Sequence, residues 1–214
     1  MLRTRTFAGS GFPGPVFVWG DVMALSDVAL CARALVMIGA APISSFEEDV
    51  AEAEIARMLY PAVRDGMLAG YPWRFAGRGC WLSRLAGEDV ATSPKDGSHL
   101  FALPRDFIRL LSLENEGGKI ARFELRDQAV LVASDSAHLS YVARLPEGSF
   151  PAWFDMALMA RLAAEFCLPL TESSTRAEYL FKRAEDQLRE ARLADAQQST
   201  PHAIDDFSLI SARG

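Results

Sequence analysis

The stretch FDMALMARLAAEFCL, residues 154–168, is the longest apolar run in the chain, and only Asp155, Arg161 and Glu165 interrupt it. A helix that is apolar nearly all round is typical of a protein interior. The run falls short of the ~20 residues that a membrane-spanning helix needs. We therefore predict a central, buried helix over residues 154–168. Pro169 is expected to end it, because proline removes a helical hydrogen bond.

The charged segment 175–194 follows this helix and carries an apolar stripe at helical spacing. We predict a second helix there, with an N-cap at Thr171, Ser173 or Ser174. Its stripe is expected to pack on the central helix. The side chains predicted to form this core are Phe154, Leu158, Leu162, Phe166, Leu180, Ala184 and Leu188.

Two further helices are predicted nearer the N-terminus. Ser26 is suited to cap a helix that ends at Gly39, and another helix should run from about Asp49 to Ala69. Pro61 lies inside the second of these. Since proline removes an amide donor and clashes with the preceding turn, we expect a kink or break near Tyr60.

Between residues 76 and 149 the apolar period changes from 3.6 to 2, which indicates strands. The candidate strands are 100–103, 108–113, 119–125, 129–133 and 138–143, with turns at 117–118 and 126–128. The prediction is an α+β fold: a helical-bundle body, 24–75 and 150–196, with an inserted small antiparallel β domain, 76–149. Residues 1–23 are predicted to be an unstructured N-terminal extension, and Met23 a more natural start than Met1.

Composition excludes several classes of function. The 214 residues include 22 basic and 28 acidic side chains, a net charge of −6, whereas gripping nucleic-acid phosphates needs a basic excess. The three cysteines and three histidines do not have the spacing of a metal site or a disulfide framework. We expect no metal, no cofactor and no enzymatic activity. The apolar share of 50 % is high once glycine is added, which favours a surface buried in an assembly.

Residues 73–84 interleave arginines with aromatic residues, and such a segment could stack on nucleic-acid bases. The residues concerned are Trp73, Arg74, Phe75, Arg78, Trp81 and Arg84. A nucleic-acid-binding module is therefore the alternative function. The other interpretation is a packed aromatic seam with arginine stems along it. The acidic charge of the whole chain favours the seam.

Short motifs follow one another along residues 24–196. They are ALVMIGAAPI (34–43), YPAVRDGML (60–68), YPWRFA (71–76), FALPRDFIR (101–109), a strand carrying Tyr141, and FPAWF (150–154). This order resembles the tail tubular protein A family of short-tailed bacteriophages, the adaptor ring between portal and tail nozzle. Pro-Trp-x-Phe-Ala and Leu-Pro-x-Asp-x-x-Arg are the most specific pieces. The candidate structural residues are Trp73, Phe75, Pro104, Asp106, Arg109 and Tyr141.

The resemblance implies a dodecameric ring with a helical body, a β-rich domain facing the tail, and no catalysis. Its implied partners are further copies of itself, the portal protein, a tail nozzle protein similar to tail tubular protein B, and double-stranded DNA in transient passage. It implies a place in the virion connector after assembly in the host cytoplasm, with no membrane. An acidic lumen suits a DNA conduit because it repels phosphates.

For the motif residues we expect structural roles. Trp73 and Phe75 should pack where the helical body meets the sheet. Asp106 is predicted to cap the turn after Pro104 and to pair with Arg109.

The C-terminal segment 197–214 is predicted to be an extended docking tail, because polar residues and Pro201 lead it away from the helical body. A purely solvated tail has little reason to hold large apolar side chains. This one carries Ile204, Phe207, Leu209 and Ile210 beside two aspartates. Two interpretations stay open: the tail folds back on its own subunit, or it docks on a partner. The resemblance favours the portal, with Phe207 as the anchor.

Overall fold

A computed structural model describes residues 25–85 and 98–198 of the chain. Helices α1 (Asp27–Met37) and α2 (Ala51–Ala69) come before the strands, and α3 (Ala152–Thr171) and α4 (Ser174–Ala196) come after them. A short 3₁₀ turn, Glu147–Ser149, precedes α3. The predicted α+β fold, with strands inserted between two helix pairs, is confirmed.

Along the chain, the strands lie between α2 and α3, and they form two antiparallel sheets. The strands are β1 (Gly77–Trp81), β2 (His99–Ala102), β3 (Phe107–Asn115), β4 (Gly118–Lys119), β5 (Phe123–Arg126), β6 (Ala129–Val132) and β7 (His138–Ala143). The first sheet has the order β1-β7-β3-β4, and the second β2-β6-β5. Strand β7 has the predicted bounds. The predicted strand 119–125 is wrong as one element, because β4 and β5 belong to different sheets.

Strand β1 was not among the predicted strands. Its sequence, Gly-Arg-Gly-Cys-Trp, has no apolar alternation, and its pairing with β7 compensates for this weak local signal. Gly79 lies against the ring of His138 on β7, where an added Cβ would come within 3.2 Å of that ring.

Serine side chains cap the N-termini of two helices, as predicted. The Ser26 hydroxyl accepts the backbone N–H of Ala29 at 3.2 Å. At the start of α4, Ser173 accepts the backbone N–H of Arg176 at 3.4 Å. Helix α1 ends just before Gly39, whose φ of +76° is a conformation that favours glycine.

The predicted end of the central helix at Pro169 is wrong, and the helix that contains Pro61 is not broken near Tyr60. Helix α2 continues through Pro61 to Ala69, and α3 continues through Pro169 to Thr171. Both prolines are exposed, so water can satisfy the carbonyl that each leaves without a donor. Helix α3 ends instead at Glu172, which has the left-handed φ of 54°.

Helix α3 is the centre of the helical body, since α1, α2 and α4 all pack against it. Its side chains Phe154, Leu158, Leu162 and Phe166 are fully buried, as predicted. Leu180 and Ala184 of α4 are buried as well. Leu188 is only half-buried, contrary to the prediction, because it faces an open groove rather than the core. None of the helices among residues 25–85 and 98–198 has the length and apolarity to cross a membrane.

Candidate functional site

The YPWRFA motif forms the connection between α2 and β1. Trp73 is completely buried, and its indole N–H donates to the carbonyl oxygen of Met67 near the end of α2, at 2.8 Å. The Trp73 ring lies 5.8 Å from the Trp153 ring and 5.2 Å from the Phe154 ring. Phe75 packs on the same two rings, at 5.3 and 5.0 Å. The two motif aromatics therefore join the connection to the start of α3.

The last turns of α4 hold the same connection from the other side. The buried Asp195 carboxylate accepts the backbone N–H of Arg74. One turn earlier, the Arg192 guanidinium lies over the Tyr71 ring, 5.3 Å from its centroid. No signal in the sequence singles out Asp195, because it lies in a charged helix where carboxylates are expected to face water.

The Leu-Pro-x-Asp-x-x-Arg motif leads into β3 and contacts two other elements. The Tyr141 hydroxyl on β7 donates to the Asp106 carboxylate at 3.1 Å, and the Tyr141 ring stacks on Phe107 at 6.0 Å. Burial, together with the hydrogen bond to Asp106, raises the pKa of Tyr141 to about 12. Arg109 donates to the carbonyl oxygen of Ala69, in the last turn of α2, at 3.0 Å.

The predicted pairing of Asp106 with Arg109 is therefore wrong, since each side chain has a different partner. The chain extends from Phe107 onward, which separates the two side chains instead of bringing them together as a turn or helix would. The turn at Pro104 is closed by the backbone: the Pro104 carbonyl accepts the N–H of Phe107 at 3.1 Å. Asp106 does not cap it.

A chain of charged residues connects α2 to the segment after β7. Glu147 accepts a hydrogen bond from the Tyr60 hydroxyl and another from Arg64, each at 2.9 Å. Asp65 accepts from Arg64 at 3.0 Å and from Arg144 at 3.1 and 2.6 Å. The YPAVRDGML motif thus supplies three members of the network. The sequence shows that Arg64 follows Tyr60 by four residues and Asp65 by five, within a predicted helix. It does not show that Glu147 and Arg144 are their partners.

The pKa of Glu147 shows that this network favours the ionised carboxylate. Burial alone would raise the pKa, but hydrogen bonds from its own backbone N–H, from Arg64 and from Tyr60 outweigh it and lower the pKa below the usual glutamate value. Burial and the bond to Glu147 raise the pKa of Tyr60, which stays a neutral donor. The Tyr60–Glu147 hydrogen bond therefore keeps a neutral donor and an ionised acceptor at neutral pH.

These contacts define a junction between the helical body and the first sheet. The junction consists of the Trp73 cluster, the Arg109–Ala69 bond and the Tyr60–Arg64–Asp65–Arg144–Glu147 network. The Tyr141–Asp106 bond lies within the strand part and holds the start of β3 to β7. Asp65 and Ala69 lie one turn apart near the end of α2, so strand β3 and the residue that follows β7 are both attached to the last turns of that helix. Bonds at several points restrain rotation of one part against the other, which a single contact would not.

The predicted segment 73–84 does not present a row of accessible rings. Trp73 is buried, whereas Trp81 is 60 % exposed beside His138. Arg78 is engaged locally, donating to the Gly77 carbonyl oxygen at 2.9 Å. The seam interpretation describes Trp73 and Phe75, while only Trp81 among the three aromatic rings is free for an outside partner.

Among residues 25–85 and 98–198, no three His, Cys, Asp or Glu side chains group closely enough to hold a metal ion. Burial, reinforced by nearby Asp27, raises the pKa of the Cys31 thiol to about 12. A thiol with that pKa is a poor nucleophile at neutral pH. The predicted docking residues Ile204, Phe207, Leu209 and Ile210 lie outside the described residues.

No protein-family model matches this chain, and no curated protein does either. The function is therefore argued from the motifs and from the geometry of the junction.

Proposed function

We propose that this protein is the adaptor subunit of a head-to-tail connector ring, a structural component that joins a phage portal to a tail nozzle and lets DNA pass during ejection. The order of its motifs supports the proposal. The structural observation that carries it is the exposure of large apolar side chains on both parts of the fold.

The exposed apolar residues divide between the helices and the strands. On the helical part they are Val36, Val50, Met58, Met156, Leu168, Tyr179 and Leu193. On the strand part they are Trp81, Leu85, Leu111, Phe123 and Leu125. Single exposed apolar residues are ordinary, but a subunit with neighbours in a ring and different partners above and below would cover both sets.

The junction suits such a role. An adaptor holds two partners in a fixed relation, so the part that contacts one of them must not rotate against the part that contacts the other. The Trp73 cluster and the Arg144–Asp65 and Arg109–Ala69 bonds supply that rigidity. In this proposal Trp73, Phe75, Asp106, Arg109 and Tyr141 serve the ring by keeping its subunits rigid.

Helix α4 offers a surface for contact between subunits. Arg176, Glu178, Lys182 and Arg183 are all exposed on it, and they mix both charges. Mixed charges give specificity to contacts between copies without a large apolar patch. The net charge of −6 is compatible with a lumen that repels DNA phosphates. The virion is the proposed location.

Sedimentation velocity of the protein mixed with the portal encoded in the same genome tests the proposal. We expect a ring-sized species bound to the portal; persistent monomer would overturn the proposal. The double variant Trp81→Ser/Phe123→Ser should still assemble on the portal but lose the nozzle, since the strands are proposed to face the tail. Tight DNA binding that falls steeply with salt would instead support the nucleic-acid-binding module.

A further inference from the structure

An open groove of about 550 Å³ crosses the helical body between α2 and α4, which both pack on α3. Apolar side chains form most of its lining, with Leu59, Val63 and Met67 on the α2 side and Leu188 on the α4 side. This volume lies in the ordinary range of binding clefts, about 300–1,000 Å³. An apolar groove of this size has room for an extended segment with apolar side chains.

The charges around the groove indicate the chemistry of its occupant. Arg161 and Glu165 line it and pair with each other at 2.8 Å, and Glu185 lines it one turn before Leu188. Arg192 lines one end, and its buried Nε has no hydrogen-bond partner among the described residues. The Arg192 guanidinium gives this end of the groove a positive charge, which favours a carboxylate in the occupant.

The chain's own C-terminal tail has the matching sequence, IDDFSLI, residues 204–210. Two adjacent carboxylates, Asp205 and Asp206, stand directly before three large apolar residues in four positions. No ionisable residue interrupts Phe207–Ile210. In the tail, the aspartates come before the apolar side chains. Along the groove, from the C-terminal end of α4 backward, Arg192 likewise comes before Leu188 and Ala184.

The reach of the tail allows this arrangement. Helix α4 and the turn that follows it carry the chain six residues beyond Arg192 to Gln198, a rise of about 9 Å. Asp205 follows seven residues later, and an extended chain of that length spans up to about 23 Å. Pro201 lies between them, where the chain can reverse. The tail can therefore return along α4 to Arg192 with residues to spare.

The length of the tail segment also matches the length of the groove. From Arg192 back to Ala184, which also lines the groove, the helix spans about 12 Å. From Phe207 to Ile210 an extended chain spans about 10 Å. When an aspartate of the tail meets Arg192, the apolar side chains that follow it therefore lie within the length of the groove.

We propose that residues 204–210 bind in the groove between α2 and α4 of their own subunit, with the Asp205–Asp206 pair on Arg192 and Phe207, Leu209 and Ile210 against the apolar walls. The inference does not rest on the proposed function. If the protein is a connector adaptor, the tail must leave this groove before it can reach another protein. Binding in the groove would then compete with binding to that partner.

Disulfide trapping in the full-length chain tests the proposal. Ala62→Cys on the groove and Ser208→Cys on the tail are introduced together, with Cys80→Ser to remove the one native thiol that is not buried. The matched control replaces Ala62→Cys by Lys182→Cys, an exposed position outside the groove lining. In a thiol–disulfide buffer we expect the groove pair to close within one chain roughly tenfold faster than the control, because docking raises the effective concentration.

Charge reversal separates specific docking from chance contact. Arg192→Glu should reduce trapping to the control rate, and adding Asp205→Arg with Asp206→Arg should restore it, which a general loss of structure would not allow. Equal rates for the groove and control pairs would overturn the proposal. So would a disulfide-linked dimer in place of the internal bond, since the tail would then occupy the groove of a second copy.

Discussion

The carboxylate of Asp195 accepts the backbone N–H of Arg74 through both of its oxygens, at 3.1 and 3.0 Å, although 121 positions separate the two residues. Asp195 lies in the last turn of α4, where a negative charge opposes the helix dipole, and it is fully buried. Both features are unfavourable for a carboxylate unless hydrogen bonds offset them. The bond to Arg74 therefore fixes the end of α4 to the connection between α2 and β1.

Asp195→Ala is expected to lower the free energy of unfolding by about 1–3 kcal/mol, because it leaves the Arg74 amide without an acceptor. The control is Asp186→Ala on the same helix, where the exposed carboxylate pairs with Arg189 at 3.0 Å. That surface pair should be worth less than about 1 kcal/mol. Urea unfolding followed by circular dichroism measures both. Equal losses would show that Asp195 has no special structural role.

Local signals were enough to predict the helices and most of the strands. The apolar run 154–168 lies within α3, and Ser26 caps α1 through its own hydroxyl. Strand β7 has the bounds expected from its alternation. Each of these features depends on residues a few positions apart, so the information is present in the sequence itself.

The contacts that build the junction could not be predicted in the same way. Arg109 bonds to a backbone carbonyl of Ala69, an atom that every residue possesses and no motif marks. The Asp106–Arg109 pairing was expected from closeness in sequence, but strand β3 carries the two side chains apart. The helix end predicted at Pro169 was wrong because the cost of a proline depends on its exposure to solvent, which becomes known only with the fold.

Glu147→Gln is expected to destabilise the protein at pH 7 by about 1 kcal/mol, since it replaces a charged acceptor of two side-chain hydrogen bonds by a neutral one. The native state lowers the pKa of Glu147, so its contribution is present above the unfolded pKa of about 4.3 and is lost as pH falls below it. Urea unfolding at pH 7 and pH 3.5 should show the difference from wild type shrinking. The exposed Glu116→Gln serves as control, and a difference that does not change with pH would contradict this account.

Asp155→Asn is expected to stabilise the protein, whereas Glu147→Gln should destabilise it. Burial raises the pKa of Asp155 to about 6, partly opposed by Arg33, and its Oδ1 has no hydrogen-bond partner among the described residues. The unfolded chain ionises this carboxyl near pH 4, so ionisation costs the native state increasingly between about pH 4 and 6. The variant should be more stable than wild type by about 1–3 kcal/mol at pH 7.5.

The gain from Asp155→Asn should disappear at pH 4, where wild-type Asp155 is protonated in the native state. Thermal unfolding at the two pH values, with exposed Asp186→Asn as control, measures it. A gain of the same size at both pH values would point to improved packing rather than to the removed charge.

Leu162→Ala is expected to cost about 2–5 kcal/mol, the range for a leucine removed from a core that cannot collapse around the gap. Leu162 is 0 % exposed in the middle of α3, where α1, α2 and α4 converge, so no neighbouring element is free to move into the cavity. Leu193→Ala removes the same atoms from a side chain that is 61 % exposed and should cost less than about 0.5 kcal/mol. Half-buried Leu188→Ala should fall between them, since one side of it faces the groove. Chemical unfolding of the three variants measures this order, and a Leu162→Ala variant as stable as Leu193→Ala would mean that α3 is not the centre of the helical body.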